Sequence, residues 1–399
     1  MIQSYAVTGR AIPSLPPGTI ATVKLLHTSD WHVGRTIRGR SRADEHRAVL
    51  AEIAGIAAAE SADLVLVAGD VFDVSAPSPE SERIVYQALL ALAEVAPVLV
   101  VSGNHDHPRR LEAVAPLLEL GRVTVRAMPA RPDDGGLVRF PDLNTRVALL
   151  PFLSQRAIVT ADDLMELDPD RHDGKYATRL AAIIDKLTEN LSSDEVNIFC
   201  SHLTVHGGAM GGGERTAHVF PYAIAAQAFP GSLSYVALGH LHRLQKVPAP
   251  APVWYSGSPL QLDFGEIDDA KGVLIVEAEP GLPATVREVS LESGRRLVRL
   301  NGSLEQIEAM SGKTGDAYLK IELDEAARAG LADEVRELFP DAVDVVLASP
   351  VDTRAPVRTE ARLGRPAAEL FREYLAGRDV DDDRLGELFD KLLEETYEA

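Results

Sequence analysis

Five short stretches of this 399-residue sequence carry carboxylate, amide and imidazole groups at spacings that suit metal coordination. Asp30-Trp31-His32 sets a carboxylate and an imidazole two residues apart, so both project to the same side of an extended segment. Gly69-Asp70, with Asp73 beyond it, places a carboxylate after a glycine that permits a tight turn. Its two oxygens could bridge two cations. Gly103-Asn104-His105-Asp106 offers a neutral amide oxygen beside an imidazole, with a carboxylate next to it to orient the ring. His202, in Cys200-Ser201-His202, and the pair His240-Leu241-His242 after Gly239 complete the set. Hard oxygen and borderline nitrogen donors without thiolates suit manganese, iron or zinc. Each motif alone arises by chance, and a lone histidine is more often hydrogen-bonded structure than a ligand. Five in order are specific.

Each motif follows a short apolar run that reads as a strand. Leu25 to Thr28 precedes Asp30, Leu64 to Ala68 precedes Asp70, and Val98 to Val101 precedes Asn104; Val196 to Phe199 precedes His202, and Val236 to Leu238 precedes His240. Between them, Asp44 to Ala59 and Glu80 to Val95 repeat apolar residues at helical spacing. The pattern is α/β, with strands buried between helices and the ligand site beyond the strands' carboxyl ends.

After residue 291 the chain restarts as strand (Leu297 to Leu300), helix (Ser303 to Met310), strand (Ala317 to Leu323), helix (Gly330 to Leu338) and strand (Val343 to Leu347). Ser303 and Gln306 have capping-box spacing. The expected division is an extension over 1–22, a catalytic domain over 23–291, a small α/β cap over 292–349, and a linker with two amphipathic helices over 350–399. In the last helix Leu385, Leu388, Phe389 and Leu392 form one stripe, which either packs on its own domain or binds a partner.

A formal net charge of −20 excludes a general basic surface for nucleic acid, so any DNA contact must be local or metal-assisted. One cysteine, Cys200, excludes a disulfide framework and Cys-based zinc sites and fits a reducing compartment, with the cytoplasm as the default. No apolar stretch reaches the roughly 20 residues of a membrane span. Pro13, Pro16 and Pro17 break the only apolar region of residues 1–22, which argues against an export signal and leaves Val23 as a candidate native start.

In order and spacing the five motifs resemble the signature of the calcineurin-like metallophosphoesterases, across residues 23 to about 290. Leu26 to Arg35, Tyr255-Ser256-Gly257-Ser258-Pro259 and Asp263-Phe264-Gly265-Glu266 are similar to the bacterial SbcD branch, the nuclease subunits of SbcCD complexes. The resemblance implies a calcineurin-like sandwich of β sheets flanked by helices. It implies one cation, most simply Mn2+, on Asp30, His32, Asp70 and His242, and a second on Asp70, Asn104, His202 and His240, with Asp70 as bridge. Two cations roughly 3.5–4 Å apart would clamp a phosphate and activate water for in-line attack. His105 would stabilise the transition state or protonate the leaving oxygen, and Asp106 would orient it. The implied activity is exonuclease cutting of double-stranded DNA ends and endonuclease cutting of hairpins and single strands, in DNA repair, recombination and replication. The implied assembly is a homodimer within a heterotetramer with an SbcC ATPase bound at the C-terminal helices. Archaeal and eukaryotic relatives carry histidine where this chain has Asp73. That residue would touch nucleic acid, position a ligand, or only turn the chain.

Arg35, Arg38, Arg40 and Arg42 crowd the loop after His32, and Arg109 and Arg110 follow the third motif. They are either DNA-backbone contacts or a solvated charged loop. Gly207 to Gly213 reads as a mobile loop near substrate or a plain flexible one. Two rival functions stand beside the nuclease. A phosphoesterase for small substrates would ignore loss of residues 366–399, and a non-catalytic DNA-end scaffold would tolerate loss of His105.

Overall fold

The computed structural model describes residues 22–165, 176–212, 222–325, 328, 330–347, 367–376, 384–386 and 388–390. Two six-stranded sheets pack face to face. The first runs Thr285–Ser290, Gly272–Ala278, Val23–Thr28, Leu64–Ala68, Val98–Val101, Val123–Arg126. Its last four strands are parallel and the Gly272–Ala278 and Thr285–Ser290 pair is antiparallel at one edge. The second runs Gln245–Val247, Val253–Tyr255, Tyr235–Gly239, Val196–His202, Thr145–Leu150, Leu137–Phe140, with four parallel strands between two antiparallel edges.

Period-two alternation decides which residues face which layer. Leu25, Leu64, Leu66 and Leu99 of the first sheet meet Val147, Leu149, Ile198 and Ala237 of the second in an inner core. Leu26, Val65, Val67, Val98 and Val100 point the other way, onto the helices Ala43–Ala59 and Pro79–Val95 through Val49, Ile53, Val85, Leu89 and Leu92. The helices Gln155–Leu164 and Tyr176–Thr188 cover the outer face of the second sheet. The strands are therefore buried between helices on one side and the opposite sheet on the other, where the sequence pattern suggested helices on both.

The strands Leu297–Gly302, Tyr318–Leu323 and Ala342–Leu347 form a separate parallel sheet backed by the helices Leu304–Glu308 and Leu331–Leu338. The capping box is present: Gln306 N donates to Ser303 Oγ, and the Gln306 side chain accepts from Ser303 N. Leu297 and Tyr318 of this unit pack on Ile37 and Phe264. Beyond it, the helix Ala367–Ala376 meets a helical turn through Phe371 stacked on Phe389, ring centroids 4.1 Å apart. Leu392 and the linker lie outside the described residues. Among the described residues no helix is long and apolar enough to cross a membrane.

Candidate metal centre

The expected ligands sit where strands end. Asp30 and His32 follow Val23–Thr28, Asp70 follows Leu64–Ala68, and Asn104 follows Val98–Val101; His202 ends its strand, and His240 follows Tyr235–Gly239. There the backbone turns sharply. Asp30, His32, Asp70 and His240 adopt φ of 52°, 44°, 51° and 105°, a left-handed region that costs a side-chain-bearing residue about 1 kcal/mol or more and clusters at functional sites. Asp30 N donates to Gly69 O and His32 N to Asp70 O, both at 3.0 Å, so the first two loops hold each other. Two glycines are steric requirements. A Cβ on Gly103 would collide with Asp70, and one on Gly69, at φ 88°, with the His202 ring.

The ligand atoms of Asp30, His32 and His242 lie within 4.8 Å of one another, as do those of Asp70, His202 and His240. Asp70 stands between the clusters. Its Oδ2 is 3.5 Å from His32 Nε2 and 3.4 Å from His202 Nε2, while Oδ1 accepts from His105 N at 2.8 Å. Asn104 Oδ1 lies 3.0 Å from His202 Nε2 and 2.7 Å from His240 Nδ1. All seven expected ligands are thus brought together. Phe152 stacks on His240, ring centroids 6.1 Å apart.

The donor chemistry fits cations. His202 Nδ1 lies 2.8 Å from Ala68 O, which only accepts, so Nδ1 carries the proton and Nε2 turns a lone pair toward Asp70 Oδ2 and Asn104 Oδ1. Converging acceptors of this kind need a second proton or a metal. Burial opposes charge on His202, yet Asp70 and Asp30 reverse the effect and hold its pKa up at about 9. Burial lifts Asp30 to about 6 against the pull of His202 and His242. His32 is pushed down to about 4 by burial despite Asp73 and Asp70, and its buried Nε2 makes no hydrogen bond. An imidazole kept neutral by burial, a second that is charged only because carboxylates crowd it, and those carboxylates themselves fit a site for two divalent cations.

Among the residues that brace the ligands, only Asp73 had ligand positioning among its expected roles. The Asp73 carbonyl lies 2.8 Å from His105 Nδ1, and its Oδ1 lies 3.4 Å from His32 Nδ1 and 3.3 Å from Arg35 Nη1. Asp73 therefore positions two histidines. The expectation that Asp106 orients His105 is corrected: its carboxylate turns inward and accepts from Gly103 N at 2.8 Å, Phe72 N at 3.0 Å and Val71 N at 3.4 Å. It ties the Asp70 loop to the Asn104 loop. Ser256 Oγ lies 2.8 Å from Ser29 Oγ, which donates to Asp30, and Glu266 Oε1 accepts from His242 Nδ1 at 2.9 Å. The sequence signals for Ser29, Ser256 and Glu266 were the stretches Leu26 to Arg35, Tyr255 to Pro259 and Asp263 to Glu266.

The arginine loop is mostly occupied within the protein. Arg42 is 2% exposed, pairs with both oxygens of Glu45 and donates to Gln261 O, so it cannot meet a phosphate. Arg38 pairs with Asp344 at 2.9 Å, and Arg40 donates to Pro340 O at 2.8 Å, so both fasten the cap. Arg110 pairs with Glu82 at 2.7 Å. Arg35 stays beside the centre on Asp73, and Arg109 is exposed at the start of the helix Pro108–Glu119. Of the glycine-rich stretch, residues 207–212 are described. They are held by two hydrogen bonds between Ala209 and Gln245, and Gly212 packs on Gly265.

The model of the family described as calcineurin-like phosphoesterase matches residues 23–244. SbcD, the D component of nuclease SbcCD, from Bacillus subtilis (strain 168) is 32% identical over 393 residues, covering 92% of this chain and 97% of the relative. The chain is a calcineurin-like phosphoesterase of the SbcD family. SbcD of Rhodobacter capsulatus is 36% identical, covering 70% of this chain and 71% of its own, and SbcD of Escherichia coli (strain K12) is 30% identical, covering 90% and 91%. The family match ends at Leu244, so Glu266 and Ser256 lie beyond it.

Proposed function

We infer that this protein is a metal-dependent DNA nuclease, an exonuclease at double-stranded ends and an endonuclease at hairpins and single strands, that works with an SbcC-type ATPase. The observation that carries this conclusion is Asp70 Oδ2 standing between two ligand clusters, with His105 donating its backbone N–H to the other oxygen of the same carboxylate. Asp30, His32, Asp70 and His242 would hold one cation and Asp70, Asn104, His202 and His240 the other, with manganese as the metal. Once bound, divalent cations polarise phosphoryl oxygens and acidify water.

The chain's own residues supply the rest. His105 Nδ1 donates to the Asp73 carbonyl, which turns Nε2 outward; as an imidazolium, with a second proton on Nε2, the ring would stabilise the transition state or pass that proton to the leaving oxygen and return to the neutral Nδ1–H form. The His105 N–H on Asp70 fixes the acid relative to the bridging carboxylate. Arg35 and Arg109 are the arginines best placed to meet the DNA backbone. The names of the relatives, each a D component of nuclease SbcCD, support an SbcC partner, and the Phe371–Phe389 helices are its docking element in this proposal. The assembly we propose is a homodimer within a heterotetramer, in the cytoplasm.

The test is Mn2+-dependent cleavage of an end-labelled duplex and a hairpin, with a His105→Leu variant alongside. Cleavage by the native protein and its loss in the variant is expected. Efficient hydrolysis of nitrophenyl phosphate esters with intact DNA would replace the nuclease with a small-substrate phosphoesterase.

A further inference from the structure

We propose that Glu266 and Lys271 form a buried positioning pair that sets the affinity of one of the two cation positions, the one built on His242. The inference rests on the two-cation reading of the centre. Glu266 is fully buried and its two oxygens are divided. Oε1 accepts from His242 Nδ1 at 2.9 Å, and Oε2 accepts from Lys271 Nζ at 2.7 Å and Leu262 N at 3.0 Å. The same ammonium donates to His242 O at 3.0 Å and to Ser258 Oγ at 2.8 Å, and Ser258 N donates to His242 O at 3.1 Å. His242 is thus gripped by its ring and by its backbone, and Lys271 touches both grips.

Stability alone does not account for this pair. Two charges removed from water often contribute no more than a well-packed apolar pair of the same volume. What the pair supplies is direction: the ring cannot rotate, and its proton is held on Nδ1, so the other nitrogen presents the lone pair. A carboxylate partner also makes an imidazole a stronger donor than a carbonyl partner does. On the other side of the centre, His202 has only the Ala68 carbonyl in this role. The two positions are chemically unequal, and the position of Asp30, His32 and His242 is the tighter.

The experiment is Mn2+ titration of the full chain by calorimetry, with electron paramagnetic resonance, on the native protein and on the variants Glu266→Gln and Lys271→Met. The native protein is expected to take two Mn2+ with a spin-coupled spectrum. In each variant one site weakens by about 10- to 100-fold while the other stays within about twofold, and the coupled spectrum gives way to that of an isolated ion. Cleavage in the variants falls at limiting Mn2+ and recovers in excess, with KM for DNA unchanged. Thermal unfolding in chelator checks that each variant is folded. Two sites of native affinity in both variants, or equal weakening of both sites, would overturn the proposal; a native protein that binds fewer than two Mn2+ would overturn the two-cation reading itself.

Discussion

Asp106 offers the sharpest test of how the centre is built. In the structure its carboxylate serves three backbone N–H groups on two loops, those of Gly103, Phe72 and Val71, and none of its hydrogen bonds reaches His105. Replacing it with asparagine keeps the shape and turns one acceptor oxygen into an NH2 group. Whichever way the amide faces, that NH2 meets at least one backbone N–H. A hydrogen bond to a charged acceptor contributes about 1.5–3 kcal/mol, and the buried donor left behind adds to the loss, so Asp106→Asn should destabilise by about 2–4 kcal/mol. In thermal unfolding this is a fall in Tm of about 4–7 °C, measured in chelator so that metal binding does not enter. His105→Leu, changed at a half-buried position, should move Tm by no more than about 2 °C under the same conditions. Should Asp106→Asn melt like the native protein while losing cleavage as completely as His105→Leu, the loop-tying role fails and the simpler role of orienting His105 returns.

Arg42→Leu should cost about 3 kcal/mol in unfolding experiments, because it strands the partly buried Glu45, and should leave the salt dependence of DNA binding unchanged. Arg109→Ala should do the reverse, with unchanged stability and a salt slope reduced by about 1; identical slopes for Arg109→Ala and the native protein would remove Arg109 from the interface. A third prediction concerns His27, buried between the sheets with Nδ1 2.9 Å from Tyr235 Oη and a pKa pushed down to about 3 by burial. Its folded pKa lies below the unfolded value of about 6.5, so its contribution is full above pH 6.5 and is lost as pH falls toward 3. Between pH 7.5 and pH 5 the native protein should lose about 2 kcal/mol more than His27→Leu in denaturant titrations. Parallel pH profiles would count against it.

The strand ends were legible because a fully buried parallel strand is a run of β-branched and aliphatic residues, and each run stops at a group that cannot be buried unpaired. Leu64–Ala68 and Val98–Val101 have the boundaries read from the sequence. What covers such a run is not written in it: Leu66 facing a sheet and Val67 facing a helix are equally apolar. Thr285–Ser290 carries no strand signal in the sequence because, at an edge, it keeps polar residues on both faces. The ligands were legible by type, and their braces were not. Glu266 meets His242 across 24 residues of chain. Asp106 is adjacent to His105 in sequence, but neighbouring side chains diverge. Arg42 looked like a surface charge, and Glu45, the Gln261 carbonyl and the Tyr318 ring beneath its guanidinium together make its burial affordable.

The burial of Arg42 and the use of Arg38 and Arg40 on the cap sharpen the question of how a chain of net charge −20 approaches DNA. The ligand set itself contains an answer. Of the seven candidate ligands only Asp30 and Asp70 are carboxylates; Asn104 and four histidines are neutral donors. Two divalent cations would bring four positive charges against those two negative ones, leaving a net +2 at the one point where a phosphate must sit. A ligand set richer in carboxylates would hold the cations as firmly and cancel that charge. The neutral amide of Asn104 and the carbonyl-held imidazole of His202 are therefore more than alternatives to aspartate. As ligands they would keep the centre electropositive inside an acidic protein, so the metal-loaded site would itself attract the DNA backbone, beside whatever Arg35 and Arg109 add around it.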